Sequence, residues 1–146
     1  MADKTSSMVF LNYLTTVFDS INDFILLVGV EPNNQFRLLL ANEPFYRITG
    51  FPRDSVGKLV NDIVGATNFK TLCRHYKDVI DSKEPKEYTE WSELPSGKLA
   101  YHVRLIPVLN SVGEVVQLAA VIQDVTELEA LRNQNKQLRQ KLQKPL

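Results

Sequence analysis

The hydrophobic positions along the chain follow two periodicities, and the first of them appears near the start. Apolar residues recur at spacings of three and four, which predicts a short amphipathic helix over residues 7 to 21. The apolar stripe of this helix contains Leu11, Leu14, Phe18 and Ile21. Such a stripe suits either the outer face of a sheet or a partner subunit.

Two apolar, β-rich runs follow the first helix. "DFILLVGVE" (23 to 31) ends at the turn-prone "PNN", and "QFRLLLA" (35 to 41) comes directly after that turn. They predict a hairpin or two neighbouring strands. The next stretch, "NEPFYRITGF" (42 to 51), predicts a helix of about two turns with Asn42 as its N-cap and a proline in its first turn.

The second half of the chain contains the longest interior helix and three strands. Residues 68 to 82 are predicted to be helical because their apolar side chains share one face, which comprises Phe69, Leu72, Cys73, Tyr76, Val79 and Ile80. Three strand-like runs then follow: "KEYTEWSEL", "KLAYHVRLIPVL" and "EVVQLAAVIQDV". Glycine-containing turns join them, and the last two runs predict a long hairpin.

The C-terminal segment predicts a helix that begins where the last strand ends. Thr126 and Glu129 have the spacing of a capping box. The positions that follow at alternating spacings of three and four are Leu128, Leu131, Asn135, Leu138 and Leu142. This is a coiled-coil pattern, and an asparagine at an a position favours a parallel two-stranded pairing. The alternative is a helix whose leucines fold back onto their own domain. About two heptads are too few to dimerise alone.

The order of elements predicts an α+β fold built on a five-stranded antiparallel sheet. We expect an N-terminal helix (1 to 21), a domain (22 to 125) and a C-terminal signalling helix (126 to 146). The 146 residues, 44% of them hydrophobic, are enough for one core. Lys and Arg total 17, as do Asp and Glu, so charge predicts neither a nucleic-acid partner nor a membrane partner. The lone cysteine and the lack of a signal peptide or long apolar run predict a cytoplasmic protein.

Between residues 19 and 126 the chain resembles the PAS family. "LLANEPFYRITGF", "VGKLVNDIV", "SGKLAYHVRLIPVLNSVGEVV" and "IQDVTELE" occur in the order and spacing typical of that family. "QDVTE" is similar to the Asp-Ile-Thr ending of PAS domains, with Val125 in place of isoleucine. The resemblance implies a profilin-like sheet with helices on one face.

The resemblance also implies a sensory role in signal transduction. A signal would leave the sheet through Asp124, Val125 and Thr126 and pass into the helix at Glu129 and beyond. The output would be an attached or partner effector domain, such as a histidine kinase of two-component signalling or a diguanylate cyclase. We expect a homodimer held by both terminal helices, and we expect the chain to be a segment of a longer signalling protein.

If the resemblance holds, a small-molecule cavity lies between the inner sheet face and the helix 68 to 82. The residues predicted to line it are Phe69, Leu72, Cys73, Tyr76, Ile80, Trp91, Tyr101 and Val103. The helix residues among these equally suit a filled core. Along the long strand, alternation separates Tyr101, Val103 and Leu105 from their neighbours. We expect this set to point inward because it is the more apolar one.

Three cofactor versions of the family can be compared with the sequence. Flavin photosensors of the family carry a reactive cysteine in a Gly-x-Asn-Cys-Arg-Phe motif, but here "GKLVND" places Val60 at that position. Covalent flavin chemistry is therefore not expected. Haem is not expected either, because His75 lies about 100° from the centre of the apolar helix face, toward solvent. Non-covalent flavin stays open, with Trp91, Asn61 and Asn68 as groups that could reach its ring.

Two other classes of function are alternatives to a sensor. Nothing in the sequence predicts catalysis, since the two histidines have no neighbouring nucleophile motif, and neither a phosphate loop nor a metal site is expected. A small ligand-modifying enzyme is the more remote alternative. An interaction module with a filled core and no ligand is the closer one.

Overall fold

The computed structural model of the chain describes residues 23–143, which contain five strands and four helices. In chain order the elements are β1 (Phe24–Glu31), β2 (Gln35–Ala41), α1 (Glu43–Thr49), α2 (Val60–Val64), α3 (Ala66–Ser82), β3 (Lys86–Leu94), β4 (Gly97–Leu109), β5 (Val115–Asp124) and α4 (Thr126–Gln143). The predicted helix over residues 7 to 21, with its apolar stripe, lies outside the described residues.

The strands form a single antiparallel sheet in the order β2-β1-β5-β4-β3. The first strand is therefore interior, and it pairs with β2 on one side and β5 on the other. The predicted long hairpin is confirmed, because β4 and β5 pair from Tyr101 opposite Asp124 to Leu109 opposite Val115. β3 forms one edge of the sheet and pairs only with β4 along its full length.

Alternation along the strands decides which side chains reach the core. On β4, Tyr101, Val103 and Leu105 are buried, whereas His102 and Arg104 are not. The prediction that the first set points inward is confirmed. The inward side chains of β1 and β2 are also apolar and buried: Phe24, Leu26, Val28, Phe36 and Leu38. Because the pleat has a period of two, this one set of alternate residues supplies the sheet side of the core.

Asn42 fixes the start of α1 in a way that differs from the prediction. It stands at the N-cap position, but its side chain makes no capping bond to the helix. Its Oδ1 accepts a hydrogen bond from the N–H of Ile25 at 3.0 Å, and its Nδ2 donates one to the carbonyl of Asp23 at 2.9 Å. Asn42 is fully buried, so it ties α1 to the start of β1.

Helix α3 packs on the sheet through aromatic side chains of its inner face. The ring of Tyr76 lies edge-on to the ring of Phe36 at a centroid distance of 5.0 Å, and Phe69 contacts Phe36 at 6.3 Å. Val79, one turn beyond Tyr76, is fully buried. These contacts close the space between α3 and β2. A space remains between the sheet, the two short helices α1 and α2, and residues Thr67 to Tyr76 of α3, and this space is the candidate site.

Candidate functional site

A cavity of about 580 Å³ lies between the sheet and the three helices that precede β3. All five strands contribute to its sheet wall, and its other walls come from α1, α2, Phe51 and residues Thr67 to Tyr76 of α3. The lining residues are Phe24, Leu26, Val28, Leu38, Phe45, Thr49, Phe51, Val60, Ile63, Val64, Thr67, Asn68, Thr71, Leu72, Tyr76, Glu90, Trp91, Ser92, Glu93, Leu94, Tyr101 and Ile122. This volume lies within the range that holds drug-sized ligands in proteins.

The structure brings part of the predicted set together at this cavity. Four of the eight predicted residues line it: Leu72, Tyr76, Trp91 and Tyr101. The other four, Phe69, Cys73, Ile80 and Val103, lie elsewhere. Phe69 and Cys73 line a shallow depression on the other side of α3, together with Asn61. Val103 is buried in the core below the cavity.

Several lining residues come from segments that the sequence prediction left out. Phe24 lies at the start of β1, Phe51 follows α1, and Val60 begins α2. The alternation that orients β4 applies equally to β1, so Phe24 could have been found by the same argument. Phe51 and Val60 lie in irregular sequence between helices, where no periodicity indicates which side chains turn inward.

Val60 occupies the position where flavin photosensors of the family carry their cysteine. Its side chain is 5% exposed and faces the cavity. Cys73 is the only cysteine of the chain, and it lies outside the cavity. A flavin in this cavity would therefore have no sulfur with which to form a covalent bond.

Two main-chain positions of β3 face the cavity because this strand is at the sheet edge. Asn68 of α3 donates through Nδ2 to the carbonyl of Glu93 at 3.0 Å, so that carbonyl points away from β4. In an antiparallel ladder alternate residues share this direction. The main-chain groups of Trp91 consequently face the same side, although its indole is 40% exposed and lies near Lys98.

His75 is not a surface residue, so that prediction is wrong. It is 7% exposed, and its ring stacks on Tyr88 of β3 at 3.6 Å and 4° between planes. Its Nε2 lies 2.5 Å from Oε1 of Glu90. Strand β3 covers the flank of α3 that a simple amphipathic helix would expose. His75 does not line the cavity, so it offers no ligand to a haem bound there.

Tyr101 brings a buried hydroxyl to the cavity wall. The residue is 7% exposed, its ring lies edge-on to Phe24 at 5.5 Å, and its hydroxyl has no hydrogen-bond partner among the described residues. Burial raises the pKa of this hydroxyl well above its ordinary value, and the negative charge of Asp124 adds to the rise. Tyr101 therefore stays neutral at physiological pH and can donate a hydrogen bond.

The junction between β5 and α4 lies next to this tyrosine. Ala100 donates its N–H to Oγ1 of Thr126 at 2.9 Å, and its carbonyl accepts from the N–H of Val125 at 2.9 Å. The Thr126 hydroxyl donates to Oδ1 of Asp124 at 2.5 Å, and the Thr126 N–H donates to the same oxygen at 3.0 Å. Three of the four predicted relay residues thus contact one another or β4, and the fourth, Glu129, contacts Val125 through its main chain.

The predicted capping box is not formed. The Thr126 hydroxyl is used by β4 and Asp124, and Thr126 is the first helical residue and not the cap. The carboxylate of Glu129 contacts Arg132 at 3.2 Å, while its N–H donates to the carbonyl of Val125 at 2.8 Å. The helix nevertheless begins directly after the strand, as predicted.

Helix α4 extends away from the domain and has no buried residue. Leu128, Leu131 and Leu138 are 47%, 56% and 53% exposed, and Leu142 is 85% exposed. Asn135 lies on the same stripe and is exposed. The alternative in which these leucines fold back onto their own domain is therefore wrong.

The family model of the PAS domain matches residues 22–127. The chain therefore belongs to the PAS domain family, and the predicted resemblance and fold are confirmed. No curated protein sequence matches the chain. Within residues 23–143, no helix is both long enough and apolar enough to cross a membrane.

Solved structures show the same fold. An RNA-binding Light-Oxygen-Voltage receptor aligns with a TM-score of 0.70 and 21% identity over 92% of this chain, which spans 38% of the receptor chain. The PAS domain of a Colwellia psychrerythraea protein aligns with a TM-score of 0.65 and 12% identity, covering 81% of this chain and 98% of that one. The Bordetella pertussis BvgS PAS domain gives 0.58 and 22%, with coverages of 90% and 97%.

Proposed function

We propose that this PAS domain is a sensor that binds a small molecule in the cavity and relays its presence to α4. One observation carries the proposal: the cavity wall and the start of the helix share adjacent residues of β4. Tyr101 lines the cavity, and Ala100 beside it holds Val125 and Thr126 through its main chain. A ligand that moves Tyr101 therefore acts directly on the base of α4.

The relay requires two arrangements of the junction that the ligand binds with different affinity. The short hydrogen-bond chain from Ala100 through Thr126 to Asp124 is a suitable element because two of its bonds share the Thr126 hydroxyl, so weakening one weakens the other. The open volume of the cavity supports this role over the filled-core alternative, since protein interiors are otherwise close-packed. No catalytic role is proposed for the site.

The cofactor of such a sensor would bind without a covalent link. Val60 and the position of Cys73 leave non-covalent flavin as the form of flavin compatible with the cavity, with Asn68 and the main chain of Trp91 at its wall. Asn61 lies outside the cavity, so it does not contact a flavin bound there. Haem is not proposed because His75 is turned toward Glu90.

The binding step can be tested with the neutral fluorescent probe N-phenyl-1-naphthylamine, whose emission rises in apolar surroundings. We expect the full chain to bind it and the Ser92→Phe variant to lose at least about tenfold in affinity, because Ser92 points inward and a phenyl ring there fills the cavity. Thr89→Phe adds the same ring on the exposed face of the same strand and should bind as the parent does. Equal binding by all three proteins, or none by the parent, would contradict the proposal.

The relay can be tested with the same probe. The measurement is hydrogen–deuterium exchange of the main-chain amides of residues 128 to 131, at the start of α4, with and without the probe. The probe should change this exchange in the parent and in Thr126→Ser, which keeps the hydroxyl. It should leave exchange unchanged in Thr126→Val, which still binds the probe but cannot accept from Ala100. A response in Thr126→Val equal to that of the parent would rule out this route.

We further propose that the exposed leucines of α4 pair with those of a second copy in a parallel dimer. Their a/d spacing and their exposure support this pairing, and an asparagine at position 135 would set its register. About two heptads need support from elsewhere, for which the stripe of residues 7 to 21 is the proposed source. The paired helices would deliver the signal to an effector domain such as a histidine kinase or a diguanylate cyclase.

The dimer can be tested by analytical ultracentrifugation at tens of micromolar. The parent should sediment as a dimer, and Leu138→Lys should shift toward the monomer mass because it places a charge in the apolar seam. Gln140→Lys adds the same charge on the opposite side of the helix and should leave the dimer intact. A monomeric parent, or dimers in all three proteins, would contradict this interface.

A further inference from the structure

The polar groups that line the cavity have one sign of charge. Two lining residues are carboxylates, Glu90 and Glu93, and none of the described lining residues is lysine, arginine or histidine. The remaining polar groups are hydroxyls and one amide. An anionic ligand would lose its hydration here without gaining a cationic partner, which is unfavourable in a largely apolar site.

The two carboxylates are not equivalent. Glu93 alternates to the exposed side of β3 and contributes its carbonyl, which Asn68 already engages. Glu90 alternates inward, and its Oε1 lies 2.5 Å from His75 Nε2. Its Oε2 has no partner within the described part of the chain. Glu90 is therefore the carboxylate that can meet a ligand, and His75 fixes its position.

Tyr101 lies across the β3–β4 ladder from Glu90 and supplies a second polar group to the cavity. In the β3–β4 ladder Glu90 and Tyr101 are opposite each other, and both side chains point inward. The Tyr101 hydroxyl is buried and lacks a partner in residues 23–143. Buried hydroxyls nearly always have a hydrogen-bond partner, so this one, at the cavity wall, is available to a ligand.

Resting on the proposed binding function, we infer that the cavity selects ligands with an apolar body and a cationic or neutral hydrogen-bond donor, an amine above all. The donor would lie between Oε2 of Glu90 and the hydroxyl of Tyr101. Glu90 is then the specificity-determining residue, and Tyr101 contributes affinity. The amine would donate to the carboxylate and to the phenol oxygen, while the apolar body contacts the aromatic and aliphatic walls.

Three probes with one aromatic body test the inference by isothermal titration calorimetry of the full chain at neutral pH: 2-naphthylmethylamine, 2-naphthylmethanol and 2-naphthoate. We expect the amine to bind at least about tenfold more tightly than the carboxylate, with the alcohol between them. Glu90→Gln should weaken the amine about tenfold and the alcohol by less than about threefold. Tyr101→Phe should weaken both about threefold.

The control variant is Glu93→Gln, which removes the same charge from the exposed side of the strand and should change no affinity appreciably. Binding of 2-naphthoate as tight as that of the amine would overturn the inference while leaving the proposed function standing. So would loss of the amine preference in Glu93→Gln instead of Glu90→Gln. If none of the three probes binds, the inference fails, and only failure of N-phenyl-1-naphthylamine as well would count against the proposed function.

Discussion

Replacing Phe36 by alanine is expected to lower the free energy of unfolding by about 3–5 kcal/mol. The ring is 1% exposed and is held between β2 and the inner face of α3, where it contacts Tyr76 and Phe69. Removing it leaves a cavity that these aromatic neighbours can fill only partly. Urea unfolding followed by circular dichroism measures the loss, and the melting temperature should fall by about 10 °C or more.

Leu40→Ala provides the control on the same strand. Leu40 is 48% exposed, so its truncation should cost less than about 1 kcal/mol. Phe36→Leu should fall between the two because it keeps much of the buried volume. If Phe36→Ala were no more destabilising than Leu40→Ala, the packing of α3 on β2 described above would be incorrect.

Replacing Asn42 by leucine is expected to cost about 2–4 kcal/mol, since it leaves two main-chain groups without partners. Leucine has the same number and branching of side-chain heavy atoms as asparagine, so the variant leaves no cavity and the loss reports hydrogen bonding. The N–H of Ile25 and the carbonyl of Asp23 lose their bonds to the amide. The same urea titration provides the measurement.

Asn61→Leu makes the identical exchange at an exposed site on α2 and should change stability by no more than about 0.5 kcal/mol. A helix N-cap alone contributes about 1 kcal/mol. A loss of that size in Asn42→Leu would therefore favour the local capping role over the long-range bridge.

Most of the fold could be predicted because it depends on local periodicity. Alternation assigns the inward face of β4 from Tyr101 to Leu105, and spacings of three and four give α3 its inner face. The role of Asn42 could not be predicted in this way. A local cap and a bridge to β1 require the same residue type before a helix, and only the pairing of distant segments distinguishes them.

The candidate site was predicted less completely for the same reason. The sequence predicts which face of α3 is apolar. Which part of that face contacts β2 and which part lines the cavity depends on the curvature of the sheet. Phe69 and Tyr76 both contact Phe36, but only Tyr76 of these two also lines the cavity, together with Leu72. The sequence predicts a solvent-exposed His75 because an amphipathic helix considered by itself buries only one face. Strand β3, at the sheet edge, buries a second face of α3 through contacts of Tyr88 and Glu90 with His75.

The direct passage from β5 into α4 also has a mechanical consequence. With 18 residues and a rise of about 1.5 Å per residue, the helix is a lever arm about 27 Å long. A tilt of about 5° at Thr126 displaces its far end by roughly 2 Å, because displacement grows with helix length. In the proposed relay, a change at Tyr101 too small to disturb the core would therefore be amplified at Gln143, the last described residue of α4.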